Sequence, residues 1–273
     1  MKTDDHPPVP SLAANAMKLC LVVLCCAAGL GASDPKADEA KSLIPWKELD
    51  EKARAKVEGV VNNSTVFHQT PSEVFECSPQ LYQLLLHDPI LTLELWRSLG
   101  TTDATLESVG PNQFEGKDGH ASSGRWEFVY RSPELNIIYA EGQYRGPLLG
   151  TTLETKSVLI VRTAYIQERD GKHYVKHQLS GFVKADSGSL KPLAKALRPI
   201  FHKSIEATMQ ESLWFVSLMC RYTVYDPHTI ARSLDQVEHV APAAKEQMQK
   251  MLVPLLATTP ERKDIARSDQ SRE

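Results

Sequence analysis

The spacing of apolar residues changes twice along the chain, and these changes divide it into three parts. Between residues 45 and 100, apolar side chains recur every three or four positions in short stretches, which predicts helices. Between 104 and 187 the period is two, which predicts a meander of antiparallel strands. After residue 189 the helical period returns. The pattern therefore predicts an α+β fold.

The first part begins with a polar segment and continues with one helix and one strand. Residues 33–41 carry scattered charges and predict a flexible lead. A helix is expected from Pro45 to about Gly59, where apolar residues fall on one stripe. The segment 65–77 is rich in β-branched and aromatic residues and predicts a strand, interrupted at Pro71 because proline cannot donate a ladder hydrogen bond.

Two short helices follow this strand. Ser78 and Asp88 can each cap a helix with a side-chain oxygen, and each precedes a proline that fits the first helical turn. Gly100 closes the second of these helices.

The meander contains one strongly aromatic strand and one strand that is apolar on both faces. Trp126, Phe128 and Tyr130 share one face of this strand and the charged residues lie mostly on the other, so one face is expected in the core. Residues 157–164 carry apolar side chains on both faces, as in a central strand. The turn signals are Gly110-Pro111-Asn112, Asp118-Gly119, Ser132-Pro133 and Asp170-Gly171, the last being the clearest hairpin.

A long apolar stripe runs from Leu190 to Met219. It predicts a long helix that bends at Pro199 and ends before Pro227, because the buried side chains outweigh a proline cost of about 3 kcal/mol. Two amphipathic helices and a charged tail without predicted structure follow, at 230–240, 243–256 and 258–273.

The N-terminal region predicts export. Met17 and Lys18 precede an apolar run of about 13 residues and then small residues, the pattern of a secretory signal peptide cleaved near Gly31 or Ala32. A spanning helix needs roughly 20 residues, so no transmembrane anchor is expected in the mature chain. Translation is expected to start at Met17, and the mature protein is expected to be periplasmic or extracellular.

Charge and cysteine content narrow the possibilities further. The chain has 31 Lys and Arg residues against 34 Asp and Glu, a net charge of −3. No excess of positive charge therefore favours nucleic-acid binding. Three of the five cysteines lie in the predicted leader, leaving Cys77 and Cys220. In an oxidising compartment these two favour one disulfide, and the alternative is a pair of buried free thiols.

The order of strand, two short helices, antiparallel strands and long C-terminal helix resembles the helix-grip fold of the START-like (SRPBCC) superfamily, which includes polyketide cyclases. The resemblance covers about Thr65 to Asp226 and implies a curved sheet of six to seven strands wrapped around the long helix, with an apolar cavity between them. It also implies that Cys77 and Cys220 come within reach of each other. The residues expected near the cavity are Trp126, Phe128, Tyr130, Ile160, Phe182, Phe201 and Phe215, with core packing as the alternative role.

Four regions follow from these expectations. They are an N-terminal extension with signal peptide (1–32), a linker with the first helix (33–64), the helix-grip domain (65–226) and a helical appendage with its tail (227–273).

No recognisable catalytic or metal-binding motif is present. His173 and His177 would lie roughly 13 Å apart on a strand and cannot share an ion, so single satisfied histidines are expected. No zinc motif or nucleophile elbow occurs, and no catalytic residue, metal or cofactor is predicted.

The functional prediction is an exported, non-enzymatic protein that binds a lipid or another hydrophobic small molecule in the cavity. Two alternatives remain open. One is an envelope interaction module with a filled cavity, engaging a partner protein through 230–256. The other is an atypical cyclase or hydrolase.

Overall fold

An eight-stranded antiparallel sheet forms the centre of the protein. The computed structural model describes residues 34–119, 122–144, 152–185, 209–210 and 214–261. The strands are β1 Val66–Gln69, β2 Glu73–Glu76, β3 Thr105–Gly110, β4 Gln113–Lys117, β5 Ser122–Arg131, β6 Leu135–Tyr144, β7 Leu153–Gln167 and β8 His173–Ala185. Their order is β1-β8-β7-β6-β5-β4-β3, and β2 also pairs with β8. The predicted α+β class and antiparallel meander are confirmed.

The predicted interruption at Pro71 divides the first strand into β1 and β2. Both pieces pair with β8, β1 through Val66 to Val183 and β2 through Phe75 to Val175. The predicted turns also form, and Asn112, Gly119 and Gly171 adopt positive φ angles of 59°, 80° and 87° there. Local turn chemistry therefore sets where the strands end.

Two N-terminal helices cover one face of the sheet, which we call the outer face. They are α1, Pro35–Ser42, and α2, Glu51–Val61. Their buried side chains form one cluster with Tyr139, Ile160 and Phe182 of the sheet.

The expectation of a flexible lead at 33–41 is wrong. Asp34 caps α1 by accepting a hydrogen bond from the Lys36 amide, and Ala37 and Ala40 are buried in the cluster on the outer face. In this otherwise polar segment, the side chains that pack on the sheet are small alanines.

The remaining helices lie on the opposite, inner side of the sheet. They are α3 Pro79–His87, α4 Pro89–Ser98, α5 at 214–225, α6 Pro227–Gln236 and α7 Pro242–Thr258. Helices α6 and α7 pack on α4 and α3. Ser78 and Asp88 cap α3 and α4 through the amides of Leu81 and Leu91, as predicted. Gly100 follows α4 with a φ of 70°.

The long helix predicted from Leu190 packs on the inner face of the sheet in the part that the structure describes. Met209 is buried among Val161, Leu179 and Val183, and a Cβ built on Gly181 would approach its methyl carbon to 2.5 Å. The helix ends before Pro227 as predicted. The kink expected at Pro199, and most of the stripe from Leu190, lie outside the described residues. No described helix has the length and apolarity of a membrane span.

Helices form in both segments predicted at 230–240 and 243–256, but α6 ends at Gln236, and the buried apolar residues of α6 and α7 pack within the chain. Ile230, Leu234, Met248 and Leu252 belong to the cluster that also contains α3 and α4. These residues therefore pack against the protein itself, and an envelope partner bound through 230–256 stays a prediction.

Candidate ligand cavity

An apolar cavity of about 150 Å³ lies between the inner face of the sheet and helices α3, α4 and α5. Sheet residues such as Ala140 and Leu159 form one wall, Leu93 of α4 closes one side, and Phe215 and Val216 of α5 form the opposite wall. A cavity of this volume accepts a benzene-sized molecule.

Three of the seven residues predicted near the cavity line it: Trp126, Phe128 and Phe215. The ring centroids of Trp126 and Phe128 are 5.5 Å apart, and Phe114 stacks on Trp126 at 4.5 Å. Phe215 stacks on Trp96 of α4 at 5.5 Å. Neighbouring rings therefore hold these walls in place.

The expected positions of Tyr130, Ile160 and Phe182 are wrong. A β-bulge shifts the pairing between Phe128 and Tyr130, which moves Tyr130 to the opposite face. Tyr130, Ile160 and Phe182 all pack in the outer-face cluster beneath α1 and α2. Phe201 lies outside the described residues.

A buried polar network, which the sequence did not reveal, reaches the cavity wall. Tyr82 and His177 both line the cavity, and the Tyr82 hydroxyl lies 3.2 Å from His177 Nδ1 and 3.3 Å from Thr163 Oγ1. His177 Nε2 lies 3.2 Å from Glu73 Oε2. A carboxylate only accepts, so His177 donates to Glu73 through Nε2, and in the neutral ring Nδ1 accepts from Tyr82.

Glu73 joins this network to helix α5. Its carboxylate accepts hydrogen bonds from Ser217 at 2.9 Å and from Arg221 at 2.6 Å. Burial alone raises the pKa of Glu73, but the hydrogen bonds from His177 and Ser217 and the charge of Arg221 outweigh it and hold the pKa below its ordinary value. The Glu73 carboxylate is therefore ionised at neutral pH, and its hydrogen bonds fix its position. Burial is also the main cause of the raised pKa of Tyr82.

Cys77 and Cys220 are buried free thiols that lie together in the structure. Both belong to one apolar cluster, the Cys77 thiol donates to the Ser78 carbonyl at 3.4 Å, and burial, reinforced by the neighbouring Cys77, raises the pKa of the Cys220 thiol. The proximity of the end of the first strand to the C-terminal helix, which the resemblance implied, is present. Within the described ranges, no group of three His, Cys, Asp or Glu side chains is placed to hold a metal ion.

The element order and the packing of the C-terminal helix on the inner face are those of the helix-grip fold. This protein has that fold. No family model matches the chain, and no curated protein matches it.

Three solved structures of low sequence identity are similar to part of this chain. A conserved protein from Geobacillus kaustophilus is 8% identical, with 57% of this chain and 95% of that one covered and a TM-score of 0.42. The Zhui aromatase/cyclase from Streptomyces sp. R1128 is 9% identical, with 60% and 99% covered and a TM-score of 0.36. Truncated norcoclaurine synthase from Thalictrum flavum is 16% identical, with 57% and 95% covered and a TM-score of 0.33.

Proposed function

We propose that this chain is an exported, non-enzymatic protein that binds a small hydrophobic or amphipathic molecule. The observation that carries the proposal is the apolar cavity walled by Trp126, Phe128 and Phe215. Such a concave apolar site with a few polar groups on its wall is the usual form of a small-molecule site.

The polar groups on the cavity wall support binding over catalysis. The Tyr82 hydroxyl is bonded to Thr163 and His177, and the second nitrogen of His177 is bonded to Glu73. A general base needs a free position within reach of the substrate proton, and these atoms are already committed to one another.

Native mass spectrometry of protein purified from its own host tests the proposal. A co-purifying small apolar molecule is the expected result. Its absence across several preparations, together with no binding of added apolar ligands, would contradict the proposal.

Filling the cavity is expected to weaken binding of an apolar probe such as propylbenzene by at least about tenfold. Ala140→Phe places a ring inside, because Ala140 lines the cavity. Ala164→Phe is the matched control, since Ala164 is an exposed alanine on the outer face of β7. Calorimetric titration measures both, and thermal unfolding checks folding, because overpacking costs about 1–3 kcal/mol. Equal binding by both variants would place the ligand elsewhere.

Export and the disulfide form one connected proposal. We expect the mature chain to begin after Gly31 or Ala32, and N-terminal sequencing that finds Met1 in the exported protein would contradict this. In that compartment we expect Cys77 and Cys220, which are buried in the same cluster, to be oxidised to a disulfide. The expected result is no titratable thiol in denaturant and a mobility change on reduction that Cys220→Ser abolishes. Two titratable thiols with unchanged mobility would rule the disulfide out.

A further inference from the structure

One position on the sheet wall of the cavity lacks a side chain. Leu159 of β7 pairs with Gly181 of β8. The neighbouring pair on the same inner face is Val161 with Leu179. The three residues of this patch that have side chains, Leu159, Val161 and Leu179, all line the cavity, whereas Gly181 does not. The cavity therefore stops beside Gly181.

The side chain of Met209 fills the space above Gly181. A Cβ built on Gly181 would lie 2.5 Å from Cε and 2.7 Å from Sδ of Met209, closer than real Cβ atoms approach other atoms. The same Cβ would lie 3.3 Å from Cδ2 of Leu159, so the Met209 thioether and the Leu159 side chain lie side by side. Met209 is also buried in one cluster with Val161 and Leu179. It therefore borders the cavity-lining residues of the patch and forms the end wall of the cavity.

Both residue types suit an arrangement in which one side chain plugs the end of a cavity. Glycine in the interior of a strand weakens the strand, and it often marks a place where another group approaches closely. Methionine is unbranched and flexible and fills irregular gaps in protein interiors. Leu159 borders both the cavity and the space that Met209 occupies. Removal of the Met209 side chain would therefore lengthen the cavity rather than create a separate void.

We propose that Met209 determines the specificity of the ligand site by closing the cavity above Gly181. It limits the ligand to a compact molecule of about one ring and excludes longer members of the same chemical series. This inference rests on the proposed binding function and adds the size class of the ligand and the residue that sets it.

Two alkylbenzenes of different length test the inference. Hexylbenzene is longer than propylbenzene by a propyl group, and Met209→Ala removes Cγ, Sδ and Cε, a chain of the same length. We expect Met209→Ala to bind hexylbenzene at least about tenfold more tightly than the wild type does, because each additional buried methylene favours binding by about fourfold. Its affinity for propylbenzene is expected to change by less than about threefold. Dissociation constants are obtained from equilibrium partitioning, with the bound ligand quantified by gas chromatography.

Met248→Ala is the matched control for this substitution. Met248 is also buried, but it belongs to α7, which packs on α3 and α6, and it does not line the cavity. Its replacement removes the same atoms without lengthening the cavity, so the affinity for hexylbenzene is expected to stay within about threefold of the wild-type value. Thermal unfolding checks that both variants are folded, because loss of a buried methionine side chain is destabilising.

Gly181→Ala tests the same contact while Met209 is retained. The new methyl group takes the place of Met209 Cε. Because the interior is closely packed, the thioether is expected to move toward the cavity and to weaken propylbenzene binding by at least about threefold. In the Met209→Ala background the methyl group instead fills vacated space. We therefore expect the change in melting temperature caused by Gly181→Ala to be more favourable in that background than in the wild type, by about 2–4 °C.

The affinity of Met209→Ala for hexylbenzene decides the inference. Propylbenzene binding by the wild type, without a gain in hexylbenzene affinity in folded Met209→Ala, overturns the inference and leaves the proposed function standing. An equal gain in Met248→Ala also overturns it. If Met209→Ala does not fold, unchanged propylbenzene binding by Gly181→Ala has the same consequence. If neither alkylbenzene binds the wild type or Met209→Ala, both proposals fall.

Discussion

Replacing Met219 with alanine is expected to lower the free energy of unfolding by about 3 kcal/mol, the usual range for deletion of a buried methionine side chain being about 2–5 kcal/mol. Met219 of α5 is fully buried in the cluster that joins α5 to Phe75, Leu81 and Leu85. The cost arises because this cluster anchors the C-terminal helix to β2 and α3. Urea denaturation monitored by circular dichroism measures it.

Leu218→Ala is the matched control for this experiment. Leu218 is the preceding residue on the same helix but is 42% exposed, so its replacement is expected to change stability by less than about 0.5 kcal/mol. Equal effects of the two substitutions would mean that α5 does not pack with this side against the rest of the domain.

Glu73→Gln is expected to lower the free energy of unfolding by about 2 kcal/mol, because it removes the charged acceptor of three hydrogen bonds, one of them from the fully buried His177 side chain. His177, whose side chain is fully buried, would face an amide in place of a carboxylate, and Arg221 would lose its counter-charge. Glu76→Gln is the control on the same strand. Glu76 pairs with Lys172 near the surface, where both side chains are about half exposed, and such a pair contributes about 0–1 kcal/mol.

The pH dependence of stability gives the same network a second signature. The pKa of Glu73 in the folded protein lies below its ordinary value of 4.5. Its stabilising contribution is therefore complete above about pH 4.5 and is lost as the pH falls through the folded-state value. The stability difference between wild type and Glu73→Gln should shrink on acidification below pH 4.5, whereas a difference independent of pH would mean that the carboxylate charge does not stabilise the fold.

Local sequence signals were sufficient to predict the caps of α3 and α4 and the turns of the sheet. Ser78 and Asp88 with their following prolines mark α3 and α4, and Gly171 marks the β7–β8 hairpin, because caps and turns depend on residues within a few positions. Helix α1 escaped prediction because its packing depends on two alanines, Ala37 and Ala40, which carry little apolar signal in a charged segment.

The residues that line the cavity were predicted only in part. Which face of the sheet a strand residue occupies depends on elements that are distant in sequence. Ile160 and Phe182 belong to strands with apolar residues on both faces, and only the packing of α1 and α2 shows which face they occupy. The bulge before Tyr130 reverses the alternation without any glycine or proline to signal it. Glu73 and His177 are 104 residues apart in sequence, so their contact appears only after the sheet forms.

A crystal structure of the protein soaked with propylbenzene tests the central claim most directly. Electron density for the ring between Ala140 of the sheet and Phe215 of α5, with α5 lying on the inner face, is the predicted result. Density for the ligand only on the outer face, or a helix α5 detached from the sheet, would contradict the account.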